Sequence, residues 1–161
     1  MIDDPPGLTM MRIDQGTSGD LDDVVAIMDE AFDDRFGEAW TRSQCAGILP
    51  MPGVSLVVAR AGGGEAAGFA LYRIISCDAE LLLLAVAPKY RRRGIGSALL
   101  DQFVEQARDH GAAKVHLEVR DGNPAVLMYR AAGFSAVGRR RKYYRGRTGG
   151  EFDALTLSRA L

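Results

Sequence analysis

Apolar and polar positions in the first third of the chain follow two periods, which predict helices and strands. In residues 20–32 apolar side chains recur about every 3.6 positions, as on the buried face of a helix. Thr41 and Gln44 have the spacing of a capping box, so a second, short helix is predicted over residues 42–49. Three further segments are strand-like: residues 10–14, 54–60 and 65–75. Because three glycines separate the last two, these strands are predicted to form an antiparallel hairpin.

The middle of the chain predicts a strand, a helix and a second strand. Residues 81–87 form a continuous apolar run, which is typical of a strand buried on both faces. Pro88 ends this strand because proline has no backbone N–H to donate. A helical pattern begins near Ser97 and ends at Gly111. Residues 114–120 alternate between apolar and polar, and a right-handed crossover predicts that they run parallel to the first strand.

The last part of the chain predicts one more helix and two strands. Asn123 and Pro124 begin the helix, which continues to about residue 132, since proline suits a first turn. The strands are residues 134–142 and 152–157. The chain shows no internal repeat, so we expect one domain over residues 10–161 after a loose leader, residues 1–9.

Composition narrows the class of protein. A net charge of −1 gives no general attraction to nucleic acid or to a membrane surface. The acidic N-terminus does not have the pattern of a signal peptide, and no apolar run is long enough to span a bilayer. Cys45 and Cys77 are isolated, and His110 and His116 lack partners at ligand spacing. We therefore expect a cytoplasmic protein without a metal site or a membrane partner.

The candidate chemistry lies between the apolar strand and the helix that follows it. The pattern is Arg91-x-x-Gly94-x-Gly96, where glycines let the backbone approach a ligand closely. Free N–H groups at a helix N-terminus favour a phosphate. The spacing is neither a P-loop nor G-x-G-x-x-G, because Leu99 stands at the third glycine position. The alternative interpretation is a surface turn with a solvated charge run.

This pattern resembles the acyl-coenzyme A pyrophosphate loop of the GCN5-related N-acetyltransferases (GNAT). Three further motifs resemble the RimI branch, the ribosomal-protein-alanine N-acetyltransferases: Leu117-Glu118-Val119-Arg120, Tyr129-x-x-x-Gly133-Phe134 and Arg139-Arg140-x-x-Tyr143-Tyr144. Ala39-Trp40-Thr41 also resembles the F-P-W-[ST] segment of this branch, although Glu38 and Ala39 replace its usual residues.

The resemblance implies an α+β, three-layer fold with a mixed, mostly antiparallel central sheet, a parallel pair of strands that splay apart, and flanking helices. It implies acetyl-CoA as cosubstrate, with Glu118 as general base and Tyr129 as general acid. It implies coenzyme contacts from a strand, a loop and a turn: Leu84, Ala85, Val86, Arg91, Arg92, Arg93, Gly94, Ile95, Gly96, Ser97 and Asn123. The family usually has the asparagine seven residues before the tyrosine, whereas here the spacing is six.

The acceptor is expected to be a protein N-terminus, because an α-amine, with a pKa of about 7.7–8.0, loses its proton more readily than lysine at about 10.4. A small-molecule amine and a non-catalytic acyl-CoA-binding module are the alternatives. RNA binding through residues 139–145 is a third, which the near-zero net charge disfavours. The sequence does not distinguish a monomer from a homodimer. Purely structural interpretations also stand: Glu118 as a solvated strand carboxylate or an ion-pair partner of Arg120, and Tyr129, Trp40 and His116 as structural residues.

Overall fold

Seven strands form one central sheet in the computed structural model, which describes residues 11–161. The strands are β1 (Arg12–Gln15), β2 (Val54–Arg60), β3 (Ala66–Ile75), β4 (Asp78–Val86), β5 (Lys114–Arg120), β6 (Ser135–Arg145) and β7 (Glu151–Ala160). Their spatial order is β1-β2-β3-β4-β5-β7-β6, with β4 and β5 parallel and the other pairs antiparallel. The predicted leader and Met10 lie outside the described residues.

Four α-helices cover the two faces of the sheet in the part of the chain that the structure describes. They are α1 (Leu21–Ala31), α2 (Arg42–Ile48), α3 (Ile95–Asp109) and α4 (Ala125–Ala131). One core packs α1 and α2 against one face, and a second core packs α3 and α4 against the other. Two helical layers around a sheet make the predicted three-layer α+β fold, which is confirmed.

The predicted capping box at the start of α2 is present. The Thr41 hydroxyl accepts a hydrogen bond from the Gln44 backbone N–H at 3.1 Å, and Gln44 Oε1 accepts one from the Thr41 N–H at 2.7 Å. Together these bonds satisfy two N–H groups that a helix start leaves without partners.

The predicted bounds are wrong for one helix and three strands: α3, β4, β6 and β7. Helix α3 begins at Ile95, two residues before the predicted start, because Gly94 adopts a left-handed conformation (φ 77°) and serves as its N-cap. Strand β4 begins at Asp78, since Ser76 also has a positive φ and reverses the chain within two residues. Strands β6 and β7 extend beyond the predicted segments because they pair with each other over most of their length.

The apolar run predicted that β4 is buried on both faces, and this prediction is wrong. Leu83 is buried whereas Leu82 and Leu84 are only half-buried. The pairing with β3 skips Leu82, which is the extra residue of a β-bulge between Leu81 and Leu83. As a result Leu81 packs in the core with α3 and Leu83 in the core with α1. The half-buried side chains are apolar because they face a cleft rather than open solvent.

The cleft exists because β4 and β5 separate. They pair in parallel from Asp78 opposite Lys114 to Leu81 opposite Leu117, and no further pair joins them. Beyond Leu117, β5 continues to pair with β7 on its other side. The two strands thus form a fork whose apex lies at Leu81 and Leu117.

Candidate active site

The fork between β4 and β5 opens into a cleft of about 710 Å³. Glu118 is the first residue of β5 beyond the last pair with β4, so it stands at the apex of the fork. The walls are the free edge of β4, the start of α3, the start of α4 and side chains from the loop between α1 and α2. The two predicted catalytic residues, Glu118 and Tyr129, both line this cleft.

One wall is formed by the loop from Arg91 to Gly94 and the first residues of α3, where backbone amides have no hydrogen-bond partner. Gly94 and Arg92 both have positive φ, which curls the loop in front of α3. The Ala98 N–H donates to the Gly94 carbonyl, whereas the N–H groups of Ile95, Gly96 and Ser97 donate to no atom of the described residues. Such amides at a helix start fit a diphosphate.

Two of the three arginines of this loop take part in contacts within the protein. Arg91 donates from Nη2 to the Ala31 carbonyl at 3.1 Å and thereby satisfies the C-terminus of α1. The Arg93 guanidinium lies over the Tyr90 ring, 5.6 Å from its centroid. Arg91 and Arg92 line the cleft, and Arg93 lies outside the lining.

The predicted pantetheine segment, Leu84 to Val86, lies on the free edge of β4. All three residues line the cleft, and β3 pairs with them on the opposite edge. Since β5 does not pair with β4 beyond Leu81, the backbone groups on this edge are available to an extended ligand. An edge of this kind can bind a ligand by adding it to the sheet.

Both carboxylate oxygens of Glu118 have partners. Oε2 accepts a hydrogen bond from the Thr156 hydroxyl at 2.7 Å, and Oε1 forms an ion pair with Arg140 Nε at 3.0 Å. The side chain is 14% exposed, so it reaches the cleft. The alternative pairing with Arg120 is wrong, because Arg120 binds Glu38 instead.

Tyr129 combines a buried ring with a hydroxyl that reaches the cleft. Its ring packs edge-on against Phe134, and the residue is 6% exposed. Burial and, second, the negative charge of Glu38 hold the pKa of Tyr129 well above its usual range, so it is a neutral phenol. No described residue bonds to the hydroxyl, and no fully buried side-chain oxygen in residues 11–161 lacks a partner. The hydroxyl is therefore in contact with the open cleft.

Asn123 has both ends of its amide engaged within the protein. Oδ1 accepts a hydrogen bond from the Ala125 N–H at 2.8 Å, which caps the start of α4. Nδ2 donates to Glu38 Oε1 at 2.9 Å. The residue lines the cleft, but its polar atoms organise the turn and Glu38.

Beside Phe36 and Tyr144 of the cleft, two segments of the chain are in contact: residues 33–37 and residues 145–152, which include the turn between β6 and β7. We call this contact the clasp. The Arg147 N–H donates to the Asp34 carbonyl at 3.0 Å, and Phe36 packs edge-on against Phe152. The backbones approach so closely that a Cβ on Gly146 would lie 1.7 Å from the Arg35 carbonyl oxygen.

A family model described as the acetyltransferase (GNAT) family matches residues 21–134. The chain belongs to this family. That membership accounts for the forked sheet and for the amide-lined loop at the start of α3, both of which the sequence resemblance predicted.

Several curated GNAT relatives are similar to the chain over part of their length. The [ribosomal protein bS18]-alanine N-acetyltransferase of Escherichia coli K12 is 36% identical over 96 residues, which are 59% of this chain and 64% of that protein. The N-alpha-acetyltransferase RimI of Mycobacterium tuberculosis is 42% identical over 101 residues, 60% of this chain and 62% of that protein. The mycothiol acetyltransferase of Clavibacter sepedonicus is 34% identical over 133 residues, which are 73% of this chain and 40% of that protein. The chain therefore spans less than two thirds of each relative's length.

Solved structures extend the likeness to nearly the whole chain. The ribosomal-protein-S18-alanine N-acetyltransferase of E. coli superposes with a TM-score of 0.81 at 28% identity, covering 94% of both chains. Ard1 from Thermoplasma volcanium gives 0.82 at 27% identity, covering 94% of this chain and 98% of that one. These matches confirm the predicted GNAT fold and the RimI-like branch. The relatives named here are N-acetyltransferases.

Sequence reasoning missed Glu38 as part of this GNAT cleft. Its Oε1 accepts hydrogen bonds from Arg120 Nε and Asn123 Nδ2, each at 2.9 Å. The Arg120 guanidinium in turn lies 3.6 Å from the centroid of the Phe36 ring. The available signal was the departure from F-P-W-[ST], which puts a carboxylate where the branch has an apolar residue.

The remaining predicted positions fall inside and outside the cleft. Trp40, Tyr143 and Tyr144 line it, whereas His116 binds Asp78 through Nε2 at 3.0 Å on the paired part of β5. Within residues 11–161 no three His, Cys, Asp or Glu side chains form a group that could hold a metal. None of the helices of the described segment reaches the length and hydropathy that a bilayer span needs.

Proposed function

We propose that this GNAT protein transfers the acetyl group of acetyl-CoA to the α-amine of a protein N-terminus. The observation that carries the proposal is the position of Glu118 at the apex of the fork, with the Tyr129 hydroxyl open to the same cleft. A carboxylate and a neutral phenol that line one cleft are the kind of acid–base pair that aminolysis of a thioester requires.

The coenzyme would bind along the wall formed by β4 and α3. The unpartnered amides of Ile95, Gly96 and Ser97 suit its diphosphate, and the free edge of β4 suits its pantetheine arm. This arrangement directs the thioester toward the apex, where backbone N–H groups of β4 can polarise its carbonyl.

The two catalytic candidates would then move protons in opposite directions. Glu118 takes a proton from the incoming ammonium, directly or through a water, so that the amine can attack the thioester carbon. As the carbon–sulfur bond breaks, Tyr129 donates its proton to the leaving thiolate. Over the whole reaction the ammonium loses two protons: one is bound in the thiol product and one is released to solvent. No covalent bond to the enzyme is needed.

Two observations favour an N-terminal α-amine as acceptor. The clasp holds two segments together beside Phe36 of the cleft, and on that side we expect a chain end to fit more easily than a segment that continues in both directions. The similar E. coli and M. tuberculosis proteins are named as alanine and N-alpha-acetyltransferases. An α-amine also needs less help to lose its proton than a lysine, by about two to three pKa units.

A small-molecule amine is the second candidate acceptor. It is favoured by the likeness to mycothiol acetyltransferase, whose match covers more of this chain than the two others described above. Binding of such an acceptor would use the same coenzyme wall and the same two catalytic residues.

The deciding experiment measures thiol release from acetyl-CoA with three kinds of acceptor. We expect turnover with peptides that carry a free N-terminal alanine, and little with the same peptides when the N-terminus is blocked and an internal lysine is present. Turnover confined to small amines would replace the first candidate by the second. Tight coenzyme binding without turnover on any amine would mean a binding module, and the proposal would be wrong.

A further inference from the structure

Glu38 is a buried carboxylate with one oxygen that no described residue binds. Its side chain is 9% exposed, and both of its hydrogen bonds, from Arg120 and Asn123, end on Oε1. Oε2 accepts none within residues 11–161. Because no fully buried side-chain oxygen in that range lacks a partner, Oε2 keeps some exposure, and the residue lines the cleft.

Glu38 differs in this respect from Glu118. Both oxygens of Glu118 are engaged, one by the Thr156 hydroxyl and one by Arg140. Glu38 is therefore a carboxylate of the cleft that still has an unused acceptor atom, next to two fixed donors. An unsatisfied carboxylate oxygen in a partly dehydrated space gains most from a charged donor, since hydrogen bonds to charged groups are the stronger ones.

The hydrogen bonds to Oε1 also fix where Oε2 points. The Arg120 side chain is 10% exposed and packed on the Phe36 ring, and Asn123 is held by its own bond to the Ala125 N–H. Two donors on elements that cannot easily shift leave the carboxylate little freedom to rotate. The second oxygen is thus presented to the cleft in a set orientation before any ligand arrives.

We propose that Glu38 determines acceptor specificity by binding the protonated amine of the acceptor through Oε2 and holding it beside Glu118. The inference rests on the proposed function and adds that the acceptor enters as a cation. Glu38 would then bind the ammonium, and Glu118 would receive its proton. The RimI-like segment that this loop resembles has an apolar residue at the position of Glu38. We therefore propose this recognition of the ammonium for this chain and not for the whole branch.

The test compares acceptor KM for the wild type and Glu38→Gln with an N-terminal alanine peptide, at about pH 6.5 and about pH 9. Near pH 6.5 the α-amine is almost wholly protonated, and near pH 9 it is mostly neutral. We expect Glu38→Gln to raise the acceptor KM by about tenfold or more at the lower pH, with the ratio to wild type falling toward one at the higher pH. The KM for acetyl-CoA should change little.

Groups around Glu38 do not imitate this pH dependence. Arg120 keeps its charge throughout the range, and the pKa values of Tyr129 and Tyr144 are both raised, mainly by burial. The other carboxylates of the lining, Asp33, Glu80 and Glu118, are common to the two enzymes being compared, so their effects cancel in the ratio.

Control variants separate recognition from stability. Glu105→Gln makes the same change on the exposed face of α3 and should match the wild type. Glu38→Asp keeps the charge and should retain most of the pH dependence. If Glu38→Gln fails to fold because Arg120 is left unpaired, the double variant Glu38→Gln/Arg120→Gln, which removes both charges, should show the same ratio.

The possible outcomes distinguish this inference from the proposed function. A KM ratio that stays the same at both pH values, or a KM equal to the wild type, would overturn the role of Glu38 while α-amine acetylation stands. A wild type that acetylates no α-amine but turns over small amines would overturn the proposed acceptor. In that case the same comparison with the small amine, at pH values below and above its own pKa, still tests Glu38.

Discussion

The two halves of the cleft are built in different ways. The proposed coenzyme wall comes from one continuous segment, residues 84–97, in which a strand, a loop and a helix start follow one another. The proposed acceptor side is assembled from separate segments, including residues within 33–40 and 118–129 and the pair Tyr143 and Tyr144. A half made from one segment is fixed by local backbone geometry, whereas the other depends on contacts between distant parts of the chain.

This difference determines how substitutions should act. In the coenzyme half, a residue such as Gly94 sets the direction of neighbouring amides. A substitution there should therefore change the KM for acetyl-CoA and not the KM for the acceptor. In the acceptor half, Glu38, Arg120 and Asn123 support one another across more than 80 positions of sequence. Changes there should affect the acceptor and the stability of the fold together.

The largest expected effect is at Glu118, where the two halves meet. We expect Glu118→Gln to lower kcat by about 10²–10⁴-fold, because general-base catalysis typically contributes that much. The deficit should be greatest below about pH 8, where the α-amine is protonated and needs the base. Steady-state kinetics across pH would measure it, with Glu105→Gln as the matched control. A wild-type rate would remove Glu118 from the mechanism.

Tyr129→Phe should have the next largest effect, on kcat rather than on either KM. The phenylalanine keeps the packing on Phe134 but cannot protonate the thiolate, so we expect a fall of about 10–100-fold. Since burial and Glu38 raise the pKa of Tyr129, the phenol keeps its proton throughout the range up to about pH 10 and beyond. The deficit should therefore be nearly constant with pH, unlike that of Glu118→Gln. A deficit that disappears at neutral pH would contradict the role of Tyr129 as acid.

A third prediction concerns the coenzyme half alone. Gly94→Val places a β-branched residue at φ 77°, which strains the loop by about 1–3 kcal/mol and turns its amides. We expect the KM for acetyl-CoA to rise by about tenfold or more, with the acceptor KM unchanged. Gly111→Val is the matched control, because Gly111 ends the same helix at φ 80° with an equally open Cβ position. Equal effects of the two variants would show that only stability had changed.

The same contrast explains what the sequence could predict. The loop at Arg91 to Gly96 and the parallel strands around it could be found because their signals lie within a few residues of one another. The β-bulge at Leu82 could not, since an apolar run looks the same with or without an extra residue. Likewise, the sequence offered only its strand neighbour Glu118 as an alternative partner for Arg120, whereas packing brings in Glu38 from a distant loop. The roles of Glu118, Tyr129 and the coenzyme residues stay predictions that the kinetics above address.

The smallest expected effect comes from the clasp, which tests whether the acceptor half can be altered without the coenzyme half. In Gly146→Ala the new Cβ would lie 1.7 Å from the Arg35 carbonyl oxygen, so the two loops must separate. We expect an acceptor KM raised by a few fold, an unchanged KM for acetyl-CoA and a loss of about 1–3 kcal/mol in unfolding free energy. Kinetics and urea unfolding measure both, and Gly63→Ala, where a Cβ meets nothing within 4 Å, is the control. If the KM for acetyl-CoA rose as much as that for the acceptor, the two halves would not be independent, because the clasp would then be supporting the whole fork.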